Sequence, residues 1–223
     1  MPALRCVVFD LDDTLYLERD YVRSGMAAAG SWARRELGVE GLGEQAWAAF
    51  EEGVRGRIFD VALARCQVEP TPAVVEGLVT CYRNHVPDIE LLGDARGCLD
   101  RLRGRALAVI TDGPVASQRA KATALGVNGW AAVAVFTGEL GDGLSKPHRR
   151  AFELVEEATG HHGGACAYLA DNPAKDFIAP RALGWVTARV RRPGGLHHGV
   201  PTGDDVDVEL ADLATVPSCL EQP

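Results

Sequence analysis

The 223-residue chain is long enough for one sizeable domain, or for one domain that carries a smaller insert. Apolar residues make up 47% and charged residues 24%, so neither disorder nor a disulfide scaffold is needed to explain folding. The net charge of −8 argues against a dedicated nucleic-acid-binding protein, which would present a basic surface.

The cysteines and the first apolar run indicate the cellular compartment of the protein. None of the six cysteines forms a CxxC pair, and several lie in apolar runs, where a free cysteine behaves as a small hydrophobic residue. A reduced chain is therefore expected. The apolar run before Asp10 is too short for a signal peptide or a membrane span. We therefore expect a cytoplasmic protein with no membrane contact.

The predicted elements begin with a short, continuously apolar run at residues 6–9, which is typical of a strand buried on both faces. Four similar runs follow, and the helical patterns between the later ones each end at a glycine, a common helix terminator. The later runs are residues 106–110, 131–136, 165–170 and 185–188, and the helical patterns are residues 114–125, 148–159 and 173–183. This alternation predicts a parallel sheet with helices on both faces, closed by a strand at residues 206–210 and a short helix from Leu213.

One long interval, residues 17–87, contains no buried-strand run. Its pattern instead predicts several amphipathic helices, at residues 21–37, 44–54, 59–66 and 72–82. A further helix at residues 94–102 leads back to the sheet. The sequence thus predicts a core of residues 1–16 and 88–223, with residues 17–87 as a helical insert over the sheet.

Polar residues follow the predicted strands in four places. Asp10 and Asp12 end the first strand, residues 111–113 end the second, Lys146 precedes a helix, and residues 171–176 end the fourth strand. In an open parallel sheet, functional residues collect at the carboxyl ends of the strands. Each feature alone is also typical of a turn or a helix cap. Together, in order and at one edge, they indicate a functional site.

The residue types at this edge suit phosphate chemistry. Asp10, Asp12 and Asp171 would repel one another unless a cation neutralised them, and hard oxygen ligands select Mg²⁺. A phosphate brought to that cation needs a fixed positive charge and hydrogen-bond donors. Lys146, Thr111 and the backbone amides that follow Thr111 can supply them. Asp10 leads the set and is the candidate nucleophile.

This combination resembles the haloacid dehalogenase-like hydrolase superfamily. The matching residues are the Asp10–Thr14 loop, Thr111, Lys146 and the acidic segment from Asp171 to Asp176, in the family's order. The resemblance covers essentially the whole chain. It implies an α/β fold, a Rossmann-like parallel sheet core, in which the helical insert is the family's cap domain.

The resemblance also implies a role for each matching residue. Asp10 attacks the substrate phosphorus to form an aspartyl-phosphate, while Asp12 protonates the leaving oxygen and then activates water. Magnesium is held by the Asp10 carboxylate, the Asp12 backbone carbonyl and Asp171. The remaining assignments are phosphoryl binding by Thr111, Asp112, Gly113 and Lys146, and the orientation of Lys146 or metal-bound water by Asp176 and Asn172.

The chain departs from the family pattern in three places. Ala170 stands where glycine usually precedes the acidic residue, Ala179 and Pro180 stand where glycine and alanine are more typical, and Asp112 stands where asparagine is common. None of these removes a catalytic group, so the assignment holds. They weaken the transfer of any one subfamily's specificity.

Three alternatives to a phosphatase follow from the same residues. A 2-haloacid dehalogenase uses the same nucleophile but lacks the acid two residues later, so Asp12 favours phosphate. A phosphomutase shares every catalytic residue, although residues 13–15 look more like those of the hydrolases. A non-catalytic binding module has no reason to keep clustered carboxylates.

The predicted function is therefore a Mg²⁺-dependent phosphatase of a small metabolite, such as a sugar phosphate or a nucleotide, in a monomer or homodimer. Arg55 and Arg57 in the insert are candidates for binding the substrate, although a solvated helix face is the commoner role for such residues. Arginines 189, 191 and 192, after the fifth strand, could flank the site, but they are interpreted as a solvated turn.

Overall fold

The computed structural model describes residues 3–216 and divides into two units. The first unit runs up to Glu18 and resumes at Ile89, and the second is Arg19–Asp88. The sequence placed these boundaries at residues 16 and 87. The helices of the chain are α1 Glu18–Leu37, α2 Leu42–Glu51, α3 Ile58–Arg65, α4 Pro72–Asn84, α5 Gly93–Arg101, α6 Val115–Ala124, α7 Arg150–Thr159 and α8 Ile178–Ala182.

The first unit is built on a six-stranded sheet in which every paired strand is parallel. Its strands are β1 Cys6–Phe9, β2 Ala106–Thr111, β3 Val133–Phe136, β4 Cys166–Ala170, β5 Val186–Val190 and β6 Val208–Leu210. Their order is β3-β2-β1-β4-β5-β6, so β1 lies near the centre and the strand order reverses beside it. The predicted Rossmann-like α/β fold is confirmed. Because all strands are parallel, their carboxyl ends share one edge, and the crevice beside β1 is where such sheets bind ligands.

The central strand explains why the sheet is stable. All four residues of β1 are fully buried, as expected for a strand covered on both faces by helices. Val8 pairs with Ala108 on one side and with Tyr168 on the other. Phe152 of α7 packs edge-on against Tyr168 and against Trp185, and these aromatic contacts anchor the helix to the sheet.

One predicted helix begins later than the sequence pattern indicated. The prediction of helix from residue 173 is wrong for residues 173–177, because α8 starts at Ile178. The side chain of Asn172 accepts a hydrogen bond from the amide of Ala174 at 3.0 Å, and Asp176 accepts one from the amide of Asn172 at 2.9 Å. Such local bonds favour a turn over a helix. Pro180 lies in the first turn of α8, where no amide donor is needed.

The end of the chain also differs from the prediction. Residues 211–216 form bends and turns where the sequence predicted a helix from Leu213. The rest of that predicted helix lies outside the described residues, as does Cys219. Cysteines 6, 66, 81, 98 and 166 form no disulfide bond with one another.

The second unit is helical throughout and has its own apolar core. Met26, Leu42, Leu63 and Leu78 are buried there, together with alanines of α1, α2 and α3. Small residues allow α1 and α2 to approach closely: a Cβ atom at Gly30 would lie only 2.9 Å from the Cα of Gly43. Among residues 3–216, no helix combines the length and the apolar character needed to cross a membrane.

Candidate active site

Three buried carboxylates meet at the carboxyl edge of the sheet. Asp10 follows β1, and its amide donates a hydrogen bond to the Leu169 carbonyl at 2.9 Å, so the backbone continues the pairing with β4. Asp171 and Asp176 follow β4. Ligand oxygens from the three acids all lie within 4.8 Å of one another. The sheet thus brings residues more than 150 positions apart in the chain into one cluster.

Lys146 lies among these carboxylates. Its ammonium is 3.2 Å from Oδ1 of Asp10 and 2.7 Å from Oδ1 of Asp176, and its side chain is completely buried. It also donates a hydrogen bond to the Tyr168 hydroxyl at 3.0 Å. Burial lowers the pKa of Lys146, but the charges of Asp10 and Asp176 outweigh burial and raise it well above its usual range. Lys146 is therefore a fixed positive charge.

One lysine does not balance this set of acids. Burial, with the charge of Asp176 added, raises the pKa of Asp10 to about 7 despite Lys146. Burial and the charges of Asp10 and Asp176 raise the pKa of Asp171 to about 9. A second positive charge would let both carboxyl groups ionise near neutral pH. An all-oxygen, buried cluster fits Mg²⁺, which binds carboxylates and water.

Asp12 is held by residues that the sequence analysis did not single out. The Lys121 ammonium lies 2.8 Å from both carboxylate oxygens of Asp12, and Nε2 of Gln118 lies 3.1 Å from Oδ2. The Tyr16 hydroxyl donates to Oδ1. Although burial opposes it, the Lys121 charge lowers the pKa of Asp12 below its usual value.

The sequence contains only a weak indication of these contacts with Asp12. Gln118 and Lys121 are three residues apart, so they lie on one face of α6. A lysine in a helical pattern is usually solvated, however, and nothing in the sequence marks this one as buried.

Residues 111–113 form the loop after β2. Thr111 is buried, and its hydroxyl has no hydrogen-bond partner within residues 3–216. Gly113 has a φ angle of 134°, and a Cβ atom there would lie 2.7 Å from the side-chain nitrogen of Gln118, so this position requires glycine. The loop therefore presents an unused hydroxyl donor beside a backbone against which the Gln118 side chain lies.

The side chain of Asp112 is fully engaged. Its Oδ1 accepts hydrogen bonds from the Thr137 hydroxyl at 2.6 Å and the Lys146 amide at 3.2 Å, and its Oδ2 accepts one from Lys175 at 2.8 Å. Burial opposes ionisation, but Lys146 and Lys175 keep the pKa of Asp112 below its usual value. The aspartate that replaces the family's asparagine is thus matched by a lysine, and Lys175 is a further site residue that the sequence analysis missed.

The loop after Asp12 is fixed from two sides. Asp13 has a positive φ angle of 51°, and its carboxylate accepts hydrogen bonds from the amides of Glu18 at 2.8 Å and Leu196 at 2.6 Å. Arg192 donates two hydrogen bonds to the Thr14 carbonyl, at 2.9 and 2.7 Å. These bonds hold the backbone that carries the two catalytic candidates.

The interpretation of the arginines after the fifth strand as a solvated turn is wrong for two of them. Arg189 belongs to β5, is buried, and donates to the Asp171 carbonyl at 3.1 Å. Arg192 is buried and pairs with Asp94 at 2.6 Å. Both donate hydrogen bonds to backbone carbonyls of the loops that carry the site, which a run of charged residues in the sequence does not reveal.

Arg55 and Arg57 lie in the helical unit. Arg55 donates hydrogen bonds to the carbonyls of Phe50 at 2.9 Å and Val54 at 2.8 Å and stacks on the Phe50 ring. The side chain of Arg57 is 80% exposed, and the Asp60 carboxylate is 3.9 Å away. Neither observation tests substrate contact, which stays a prediction for both residues.

The chain has relatives among known protein families. The family model for the haloacid dehalogenase-like hydrolases matches residues 4–184. The chain is 28% identical over 215 residues to a glyceraldehyde 3-phosphate phosphatase from Methanopyrus kandleri, covering 91% of this chain and 90% of that protein. It is 32% identical over 191 residues to a phosphoserine phosphatase from Thermus thermophilus, covering 83% of this chain and 71% of that protein.

Solved structures share the fold. A 2-haloacid dehalogenase from Pseudomonas syringae superposes with a TM-score of 0.66 at 21% identity, covering 97% of this chain and 98% of that one. A protein described as a predicted phosphoglycolate phosphatase from Haemophilus somnus superposes with a TM-score of 0.64 at 19% identity, covering 96% and 97%. At these identities the likeness establishes the fold alone.

Proposed function

Because the chain belongs to the haloacid dehalogenase-like hydrolases, we propose that it is a Mg²⁺-dependent phosphatase of small phosphorylated metabolites that acts through an aspartyl-phosphate at Asp10. The observation that carries this proposal is the buried group of Asp10, Asp171 and Asp176 around the Lys146 ammonium. A site of this kind could hold Mg²⁺ through its carboxylates and would offer a phosphate a carboxylate nucleophile.

In the first step, Asp10 attacks the phosphorus and the bond from phosphorus to the leaving oxygen breaks. Asp12 carries a proton in the reactive complex, against the direction in which Lys121 shifts its pKa in the free protein, and donates it to that oxygen, so the alcohol departs neutral. In the second step, water attacks the phosphorus of the aspartyl-phosphate and gives a proton to Asp12. Inorganic phosphate leaves, and both aspartates return to their starting states.

Other residues of the site bind the transferred group. The Thr111 hydroxyl, which lacks a partner within the described chain, donates a hydrogen bond to a phosphoryl oxygen. Lys146 is held between Asp10 and Asp176 and offsets the charge that the phosphoryl group brings. The backbone amides of Asp112 and Gly113 add donors. Asp176 serves this step by fixing the position of Lys146.

The acidic cluster fits a bound Mg²⁺. The carboxylates of Asp10 and Asp171 would hold the ion, with the backbone carbonyl of Asp12 as the ligand that the resemblance adds. When bound, the ion neutralises charge shared between the nucleophile and the phosphoryl oxygens. The raised pKa values of Asp10 and Asp171, both caused mainly by burial, support the need for this charge.

Relatives support the substrate class. One is named for glyceraldehyde 3-phosphate and another for phosphoserine, both small phosphomonoesters. We propose that the helical unit Arg19–Asp88 is the cap that selects among such substrates. Arg55 and Arg57 of that unit are the proposed substrate contacts.

The test is a phosphate-release assay over a panel of small phosphomonoesters, with Mg²⁺ or with a chelator. We expect release from at least one compound with Mg²⁺, its loss with the chelator, and its loss in Asp10→Asn. A folded protein that releases phosphate from no compound would overturn the proposal. A product that keeps its phosphate at a new position would indicate a mutase, and halide release from a haloacid would indicate a dehalogenase.

A further inference from the structure

Helix α6 carries a buried lysine into the site. The Lys121 side chain is 4% exposed, and its ammonium lies 2.8 Å from Oδ1 and 2.8 Å from Oδ2 of Asp12. Burying an ammonium is unfavourable unless a partner compensates its charge. The partner it meets is the proposed proton donor and acceptor of the reaction.

We propose that Lys121 is a positioning residue that, together with Tyr16 and Gln118, holds the Asp12 carboxylate in place for proton transfer to the leaving oxygen and from water. This inference rests on the proposed function, because it takes Asp12 as the acid and base of that reaction.

The geometry restrains rotation of the carboxylate. The Lys121 ammonium is equidistant from both oxygens, so it fixes where the end of the side chain lies, whereas rotation of the carboxylate about its bond to Cβ is opposed by donors that each contact one oxygen. The Tyr16 hydroxyl adds a second donor on Oδ1, and Gln118 adds a second donor on Oδ2 at 3.1 Å. The three residues come from two segments, the loop after β1 and α6, so the carboxylate is held against both.

Neighbouring charges give this restraint a purpose. Asp10, Asp13 and Glu18 are all close enough to Asp12 for its charge to raise their pKa values. Repulsion from these acids would displace an unrestrained Asp12 carboxylate. Proton transfer requires the acid within about 3 Å of the leaving oxygen, so a displaced carboxylate would lose the contribution of the acid.

The test compares two leaving groups in wild type and Lys121→Met. Glycerol 2-phosphate releases an alkoxide that needs a proton, whereas p-nitrophenyl phosphate releases a phenolate that does not. We expect kcat/KM of the variant to fall on the order of 10²-fold for glycerol 2-phosphate, the range of general acid catalysis, and only a few fold for p-nitrophenyl phosphate. A purely structural role would lower both values equally.

Lys175→Met is the matched control. It also removes one lysine that pairs with a carboxylate of the site, Asp112, but it leaves Asp12 untouched. We expect this variant to lose activity by the same factor on both substrates. A leaving-group bias as large as that of Lys121→Met would show that any charge change at the site produces it, and would overturn the inference.

A double-mutant cycle with Asp12→Asn tests whether Lys121 acts through Asp12. If it does, Lys121→Met lowers kcat/KM for glycerol 2-phosphate no further in the Asp12→Asn background. Additive losses would overturn the inference, and so would equal losses on both substrates or no loss in the single variant.

Two outcomes need separate treatment. If Lys121→Met does not fold, Gln118→Leu and Tyr16→Phe each remove one neutral donor and should show the same bias at a few fold. If neither variant shows a larger loss for glycerol 2-phosphate than for p-nitrophenyl phosphate, the inference is overturned. Absence of phosphate release by the wild type from any compound would instead refute the proposed function.

Discussion

The edge of the sheet and the helical unit each contain an ion pair of nearly the same length, but the two pairs differ in burial. Lys146 lies 2.7 Å from Asp176 with both side chains completely buried. In the helical unit, Arg34 lies 2.8 Å from Glu40 with the two side chains 63% and 71% exposed. Exposed pairs contribute little to stability because water screens them. Removing one partner of a buried pair, in contrast, strongly destabilises the fold because the other charge stays buried and unpaired.

This difference shows which charges have a function. Apolar residues of similar volume often stabilise a fold as well as a buried ion pair does. Buried charges that are kept in spite of this are therefore candidates for chemistry, and both Lys146 and Lys121 lie against proposed catalytic carboxylates. The arginines of the helical unit carry no such implication from their contacts alone.

The largest expected effect follows Lys146→Met. The change leaves Asp10 and Asp176 buried without their cation, so we expect the free energy of unfolding in chelator to fall by about 3–5 kcal/mol. Phosphatase activity should fall at least about 10²-fold, because a charge that stabilises the transferred group is lost. Urea unfolding and phosphate release measure the two effects. Arg34→Met is the control, and an equal loss of stability there would break the contrast between the regions.

The acidic edge should also make stability depend on pH in the absence of metal. Burial raises the folded-state pKa of Asp171 to about 9 and those of Asp10 and Glu18 to about 7, above the ordinary carboxyl values of 3.8 and 4.5. Between pH 5 and 8, the folded state thus binds protons that the unfolded state has lost. The free energy of unfolding should fall as pH rises, by up to about 1.4 kcal/mol per pH unit for each group.

Urea unfolding in chelator from pH 5 to pH 8 measures this slope. Asp12 has a lowered pKa, so its contribution is lost only at pH values below about 4 and does not affect this window. Asp171→Asn should flatten the slope, and Mg²⁺ should restore stability at pH 8 by binding the folded state. A slope that Asp171→Asn leaves unchanged would contradict the pKa value given for that residue.

A smaller effect is expected from Asp112→Asn, which installs the residue common in the family. The amide oxygen still accepts the hydrogen bond from the Thr137 hydroxyl. The amide nitrogen, however, faces the Lys175 ammonium, so two hydrogen-bond donors oppose each other where the 2.8 Å ion pair was. We expect a loss of about 1 kcal/mol in the free energy of unfolding, since Lys175 is partly solvated. In a double-mutant cycle with Lys175→Met, the two losses should be less than additive. Full additivity would show that the pair does not act as a unit.

The sequence predicted the sheet and its polar edge because both depend on short-range patterns. Apolar runs such as residues 6–9 identify buried strands, and parallel pairing then places Asp10 and Asp171 at one edge. The partners of Asp12 could not be predicted in this way. Whether the long side chain of Lys121 points to solvent or into the site depends on how α6 packs, which helical periodicity does not specify.

The late start of α8 has a different physical cause. The segment from Pro173 contains residues that tolerate a helix, so the pattern predicted one. The side chains of Asn172 and Asp176 instead bind backbone amides of the same segment, at 3.0 and 2.9 Å. Such bonds compete with helix formation, and they also hold Asp176 beside Lys146. The structural misprediction therefore falls on residues that position the site.

The smallest expected effects come from two neighbouring arginines of the helical unit. Arg55→Ala removes two hydrogen bonds to the carbonyls of Phe50 and Val54, so we expect a loss of roughly 0.5 kcal/mol in the free energy of unfolding. Arg57→Ala removes only an exposed side chain with Asp60 at 3.9 Å, and its stability should equal that of the wild type. Arg57 therefore separates substrate contact from stability: if it binds substrate, KM rises in Arg57→Ala while the unfolding curve stays unchanged. An unchanged KM would remove Arg57 from the proposed substrate site.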